Sequence, residues 1–417
     1  MSRLLINGGN PLHGAVRIKA AKNAVLPILA ASLLTQDECV IKDVPHITDI
    51  TYMLKIMGAL GSSYTIDEDI LRIKSEAPTH YSVPAEYAKE LRSSLFLLGP
   101  LLARVRRAVV AYPGGCDIGV RPLDIHLKGF REMGIAIEES HGKIYCDGTR
   151  LRGADILLDF PSVGATENLM MAAALAKGTT RISNAAKEPE IVDLQNFINA
   201  MGGKVVGAGS DRIVIEGVKR LHGCEYTPIP DRIVAGTILI AGAVCGGDVT
   251  ISNVIPDHLE PLLFKINKSA CNLSLMSDNI SLIAGGRPRT FDKLETQPYP
   301  GFPTDLQSQI MVMMSVAEGT GVIVENIFET RFRIVRELIK MGAMITVKDR
   351  TAVIRGVKKL EGAAVSAADL RGGAALVIAG AKAEGFTTID NARYIDRGYE
   401  CIEDLFGNLG VEIKRLE

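Results

Sequence analysis

Apolar and polar positions recur along this chain with a long period as well as a short one. A large apolar residue followed by glycine appears at Met57-Gly-Ala, Met133-Gly-Ile, Met201-Gly-Gly, Met341-Gly-Ala and Leu409-Gly-Val. The copies lie about 70 residues apart, and twice that between Met201 and Met341, where Ser269-Ala-Cys271 fills the gap as a degenerate copy. A short alternating strand follows each copy, as in Ala343-Met-Ile-Thr-Val347. A helical pattern precedes it. Before that helix comes a strand ending in a polar junction: Ile182-Ser-Asn, Ile251-Ser-Asn, Val324-Glu-Asn, Ile389-Asp-Asn and, in the first repeat, Val40-Ile-Lys-Asp. The pattern predicts six repeats of βαβ type.

A second helix recurs in each unit, near 22–34, 90–103, 164–177, 232–245, 304–317 and 369–383. These segments are rich in Ala, Leu, Ile and Met, with few charges beyond their ends. A helix that is apolar nearly all round belongs inside. Six of them predict two interiors of three helices, each covered by sheets, the reverse of a barrel with strands inside. The chain crosses between the two groups near Tyr226-Thr-Pro-Ile-Pro-Asp231 and again near residues 19–21.

The first turns of these helices break the apolar pattern. They carry Lys22 and Asn23, Arg92, Ser162 to Thr166, Arg232, Asp305, and Asp369 with Arg371. Free N–H groups and the helix dipole favour anions at such ends, so converging basic starts would form an anion-binding cleft. The polar junction of the second repeat is expanded into a loop, Tyr112-Pro-Gly-Gly-Cys-Asp-Ile-Gly-Val-Arg-Pro122. Three glycines and two prolines there exclude regular structure. Cys116 sits at its centre with Arg121 five residues on, and a neighbouring cation is what turns a thiol into a nucleophile or a tuned acid.

Composition narrows the chemistry. Lys and Arg number 47 against 48 Asp and Glu, which argues against a general nucleic-acid or membrane-surface binder. No apolar run is long enough to span a bilayer, and the N-terminal apolar stretch is too short for a signal peptide. Seven cysteines without a CxxC pair and seven scattered histidines give neither a disulfide framework nor a metal motif. The expectation is a cytoplasmic protein with no cofactor and no metal.

Several of these stretches together resemble one family. They are Ala-Lys22-Asn-Ala-Val-Leu-Pro, the Cys116 loop, Ser162-Val-Gly-Ala-Thr166, Phe302-Pro-Thr-Asp305, Arg331, Asp369-Leu-Arg371 and Asp396-Arg-Gly-Tyr399. The resemblance is to the UDP-N-acetylglucosamine 1-carboxyvinyltransferases, and it runs essentially end to end. It implies an inside-out α/β barrel in two domains, 21–229 and 1–20 plus 230–417, each of three βαβ-type repeats around buried helices. It also implies transfer of the enolpyruvyl group of phosphoenolpyruvate to the 3-hydroxyl of UDP-N-acetylglucosamine, with phosphate release, by addition and elimination through a tetrahedral ketal and without a metal. That reaction is the first committed step of peptidoglycan synthesis.

The resemblance assigns roles residue by residue. Lys22, Arg121 and Arg397 correspond to the phosphate clamp, with Asn23 bonding the same ligand; arginine's fork suits phosphate and carboxylate alike. Nucleotide-sugar contacts fall on Arg92, on Arg121, Pro122, Leu123, Asp124 and Ile125, on Ser162, Val163 and Gly164, and on Asp305 and Ile327. Arg331 and Arg371 would face the carboxylate and the developing charge. Cys116 would donate a proton to the methylene carbon and can carry a covalent adduct. Asp305 would take the sugar hydroxyl's proton as general base. Two positions depart from relatives: Asp117 follows Cys116 and works against a thiolate, and Phe160-Pro161 precedes Ser162 where some relatives carry a lysine. Two other readings share these features: the sister enolpyruvyl transferase acting on shikimate 3-phosphate, which lacks the Pro-Gly-Gly-Cys loop, and a non-catalytic paralogue that only binds UDP-sugars.

Overall fold

The structure, a computed structural model, describes residues 2–76, 80–112 and 123–416. Cys116, Asp117, Arg121 and Pro122 lie outside the described residues. The chain divides into two compact units, one drawn from the described part of 20–229 and the other from 2–19 with 230–416.

In the unit containing the C-terminus, three helices form the interior: Arg232–Cys245, Gln307–Val316 and Leu370–Lys382. All three pack against one another. Nearly every residue on them is buried, including Ile238, Leu239, Met311, Met313, Val377 and Ile378. Small residues make this close approach feasible: a Cβ on Gly236 would stand 2.7 Å from the Leu306 side chain. Two of the helices are capped by the aspartate that precedes their first turn. Asp231 accepts from the Ile233 and Val234 N–H groups at 2.8 and 2.9 Å, and Asp369 from those of Arg371 and Gly372, both at 3.0 Å. Such caps stabilise a helix by about 1 kcal/mol each.

Three four-stranded sheets cover this interior. In one, Thr320–Val324 pairs in parallel with Lys293–Glu295 and antiparallel with Thr351–Arg355, which pairs with Met344–Lys348. The other two borrow strands from the chain's beginning. Leu12–Arg17 lies parallel to Gly247–Ser252, and Arg3–Asn7 sits between Phe386–Asp390 and Glu412–Leu416, antiparallel to both. The N-terminal segment thus completes the fourth and sixth repeats.

The other unit follows the same plan around Lys22–Ser32, Leu98–Val105 and Val163–Ala173. Its first sheet is closed by Glu225–Tyr226, which returns from the end of the unit to lie parallel to Cys39–Ile41. The predicted helix over 90–103 is divided into a 3-10 turn, Arg92–Leu97, and the α-helix Leu98–Val105. Pro100 has no N–H to give, so it is tolerated in a first turn and the α pattern starts just before it. The helix over 304–317 opens the same way, with Thr304–Leu306 as a 3-10 turn following Pro303.

The repeated glycine closes each outer helix. Gly134, Gly202, Gly342 and Gly410 all have φ between +83° and +93°, one residue past the last helical turn, where a side chain is strained. In the degenerate copy Ala270 takes that conformation at +66°. In the first repeat the turn is made by Gly61, at +104°, and not by the Gly58 of Met57-Gly-Ala, which lies inside the helix Thr48–Ala59. The matching pair is therefore Leu60-Gly61, like Leu409-Gly410. The polar junctions have a shared cause too. Asp43, Asn184, Asn253 and Asn391 sit at φ +55° to +60°, a region their short polar side chains tolerate.

Candidate active site

Each unit gathers chemistry at the starts of its core helices. In the C-terminal unit the centre is Asp305. Its Oδ1 receives Arg331 Nη2 at 2.5 Å, and its Oδ2 receives Arg371 Nη2 at 2.9 Å and Nε at 3.2 Å. The two arginine side chains are 2% and 4% exposed, while the Asp305 side chain is 28% exposed. The carboxylate is therefore the accessible member of the group, backed by two buried guanidiniums.

Burial alone would depress the Arg371 charge. Asp305, Tyr399 and Asp231 more than offset it and hold the guanidinium above its ordinary value. Arg331 also approaches Asp369 at 3.7 Å and stacks 5.4 Å from the Phe328 ring centre. Removing one partner from so buried a charge group costs about 3–5 kcal/mol.

Ile327 is positioned by a residue the sequence reading passed over. Glu325 is buried, and its Oε1 accepts from Thr296 Oγ1 and from the N–H groups of Ile327 and Phe328 at 2.8–3.0 Å. Its Oε2 accepts from Thr304 Oγ1 at 3.0 Å, and Arg331 Nε reaches the same hydroxyl at 3.3 Å. The loop bearing Ile327 is thus tied to the helix start bearing Asp305. The only sequence signal was Glu in the Val324-Glu-Asn junction, where the third and fourth repeats have serine. Arg397 ends the 3-10 turn Ala392–Arg397, half-buried.

In the other unit Lys22 opens the helix Lys22–Ser32 and pairs with buried Asp49 at 2.6 Å. Asn23 is half-buried beside it. Asp49 was another residue missed from sequence, since a carboxylate in an outer helix carries no local sign of its partner. Ser162 caps Val163–Ala173 through Ala165 N–H at 3.4 Å, and its carbonyl accepts from Thr166 Oγ1 at 2.8 Å. Phe160 is 46% exposed, so this position offers an apolar surface where some relatives have a cation. Leu123 and Ile125 are half-buried and Asp124 exposed at the start of Asp124–Glu132.

His126 links these pieces. A Cβ on Gly164 would lie 3.3 Å from its ring. Asn168 bonds its Nδ1 at 3.2 Å and accepts the Gly99 N–H at 3.0 Å. Burial, with the Arg92 charge adding to it, pushes His126 down to about 4. The neutral ring is then the folded form, and the unfolded chain takes the proton first as pH falls from about 6.5. Its contribution is present above that value and lost toward pH 4, up to about 3 kcal/mol. Thermal unfolding followed from pH 7 to pH 4.5 should show a decline that His126→Asn flattens. An equal slope in both proteins would place the acid sensitivity elsewhere.

Comparison with known proteins agrees with this architecture. The family model of EPSP synthase (3-phosphoshikimate 1-carboxyvinyltransferase) matches residues 6–406. Among solved structures the chain resembles the enolpyruvyl transferase NikO from Streptomyces tendae, with a TM-score of 0.88 at 23% identity over 99% of this chain and 98% of that one. It also resembles EPSP synthase from Acinetobacter baumannii, with a TM-score of 0.76 at 17% identity over the full length of both. The fold is thus that of the enolpyruvyl transferases. A UDP-N-acetylglucosamine 1-carboxyvinyltransferase from Caldanaerobacter subterraneus is 50% identical over 416 residues, all of both chains. One from Thermotoga maritima is 48% identical over 419 aligned positions, covering 100% of this chain and 99% of the relative. The chain belongs to the UDP-N-acetylglucosamine 1-carboxyvinyltransferase family.

Proposed function

We propose that the protein transfers the enolpyruvyl group of phosphoenolpyruvate to the 3-hydroxyl of UDP-N-acetylglucosamine and releases phosphate, acting in the cytoplasm. The observation that carries this reading is the half-buried Asp305 carboxylate held between buried Arg331 and Arg371. A carboxylate flanked by two cations is a weak base. Phosphoenolpyruvate is a multiple anion, and it competes with Asp305 for the two guanidiniums. As they turn to the ligand, Asp305 recovers its proton affinity beside the sugar hydroxyl. The base is thereby activated only when the acceptor of its product is in place.

Lys22, Asn23, Arg121 and Arg397 serve the phosphate, and Cys116 delivers the proton to the methylene carbon. Arg92, 121–125, Ser162, Val163, Gly164 and Ile327 hold the nucleotide sugar. Incubation with both substrates should release phosphate one-for-one with a product heavier than the UDP-sugar by the enolpyruvyl group. Phosphate release with shikimate 3-phosphate in place of the UDP-sugar would transfer the assignment to the sister activity. Binding of the UDP-sugar without turnover would leave a silent binding protein.

A further inference from the structure

The triple-helix interior of the C-terminal unit is crossed by one polar layer. Thr237, Gln309 and Tyr399 are all buried, Tyr399 to 2% exposure. The Tyr399 hydroxyl lies 2.8 Å from Thr237 Oγ1. Gln309 Nε2 reaches Thr237 Oγ1 at 3.2 Å and the tyrosine oxygen at 3.3 Å. Arg371 Nη1 points to the same oxygen at 3.5 Å, and its guanidinium lies 5.7 Å from the ring centre. A buried polar layer is costly where a group is left unsatisfied, and here Gln309 Oε1 finds no partner among the described residues while the Thr237 and Tyr399 oxygens are both hydrogen-bonded.

Donor accounting gives this layer a direction. Thr237 spends its proton on the Ile233 carbonyl at 2.8 Å. With that proton committed, its oxygen accepts from Tyr399, whose O–H is then directed toward Thr237. The tyrosine's lone pairs are left facing Gln309 and Arg371, both donors. Burial raises the Tyr399 hydroxyl above its ordinary value even beside Arg371, so the phenol keeps the proton this arrangement needs. Arg371 then has three anchored edges: Nη1 on Tyr399, and Nε with Nη2 on Asp305 Oδ2.

We infer that Tyr399 is a positioning residue for Asp305, holding the Arg371 fork in register with the carboxylate through the Thr237-directed hydroxyl. This rests on the reading of Asp305 as the base. Among the described residues, the charged groups around the pair include Arg331 and Arg371 on Asp305, Asp369 beside Arg331, and Asp231 acting on both Arg371 and Tyr399. Without the tyrosine oxygen the fork loses one of its anchors, so Asp305 is less well aimed for the reaction and, before the ligand arrives, less firmly held as the carboxylate.

Tyr399→Phe tests this, with Thr237→Val as a second variant that removes the acceptor but leaves the phenol. In each, kcat should fall about ten- to hundredfold while KM for the UDP-sugar stays within about twofold. The acidic limb of the kcat/KM profile, which reports the free enzyme, should move to higher pH. A purely structural role would lower Tm and leave that limb in place, and an unmoved limb with unchanged kcat in either folded variant overturns the inference. Asp305→Asn, measured alongside, separates the two readings. If it is inactive while both variants behave as the unaltered protein, only the role of Tyr399 fails. If it turns over normally, the assignment of the base fails and the positioning role goes with it.

Discussion

Asp305→Asn should lower turnover by about two to four orders of magnitude while the UDP-sugar still binds. The amide keeps the size of the carboxylate and one acceptor oxygen, so one of the two arginines retains its partner. The other meets an NH2 group, which cannot accept. Because Arg331 and Arg371 are both nearly inaccessible to solvent, that loss appears in stability as well as in rate. The variant should therefore melt several degrees lower and yet bind the nucleotide sugar by calorimetry with an affinity within a few fold. Phosphate release at saturating substrates gives the rate. Turnover near that of the unaltered protein would sink the base assignment and reduce Asp305 to a counter-ion for the arginines.

The fold was legible because each level of the sequence agreed with the next. The long period of apolar residue plus glycine marked the turn that ends each outer helix, and the all-apolar helices could go nowhere but inside. The one error of register, Gly58 for Gly61, arose because Met57-Gly-Ala matches the phrase while a helix can carry Gly58 without using its freedom.

The site was legible only in part, and for a physical reason. Lys22, Asp305, Arg331 and Arg371 stand in recognisable local phrases at helix starts. Their partners Asp49, Glu325 and Thr237 do not: they act through contacts between residues 21 to 162 positions apart, and no short-range pattern encodes such pairing. Sequence placed Arg331 and Arg371 toward the substrate, whereas in this structure both are buried against carboxylates. The two pictures join if the arginines exchange Asp305 for the anionic ligand, as the proposed activation of the base requires.

Cys116 should be the single site at which fosfomycin modifies this protein, and modification should abolish turnover. The phosphonate stands in for the phosphate of phosphoenolpyruvate and would dock on Lys22, Arg121 and Arg397. The thiolate then attacks an epoxide carbon, the C–O bond opens, and the alkoxide takes up a proton. Proximity drives the step more than thiol acidity, which Asp117 opposes. The other six cysteines are poor competitors for separate reasons. Cys39, Cys146, Cys245 and Cys271 are buried, and burial pushes Cys146 and Cys245 up to about 12. Cys224 is half-buried and raised through its hydrogen bond to Cys39. Cys401 is exposed, but its local burial and the charges of Asp404, Glu403 and Glu400 raise its thiol, and no cation clamp is built around it by its own sequence. A simple alkylating agent near neutral pH should therefore show little preference for Cys116, while the epoxide phosphonate does. The UDP-sugar should accelerate the epoxide reaction. Peptide mass mapping after each treatment locates the adducts. Equal labelling of Cys116 and Cys401 by the phosphonate, or a rate indifferent to the UDP-sugar, would leave Cys116 as an ordinary cysteine in a glycine-rich turn.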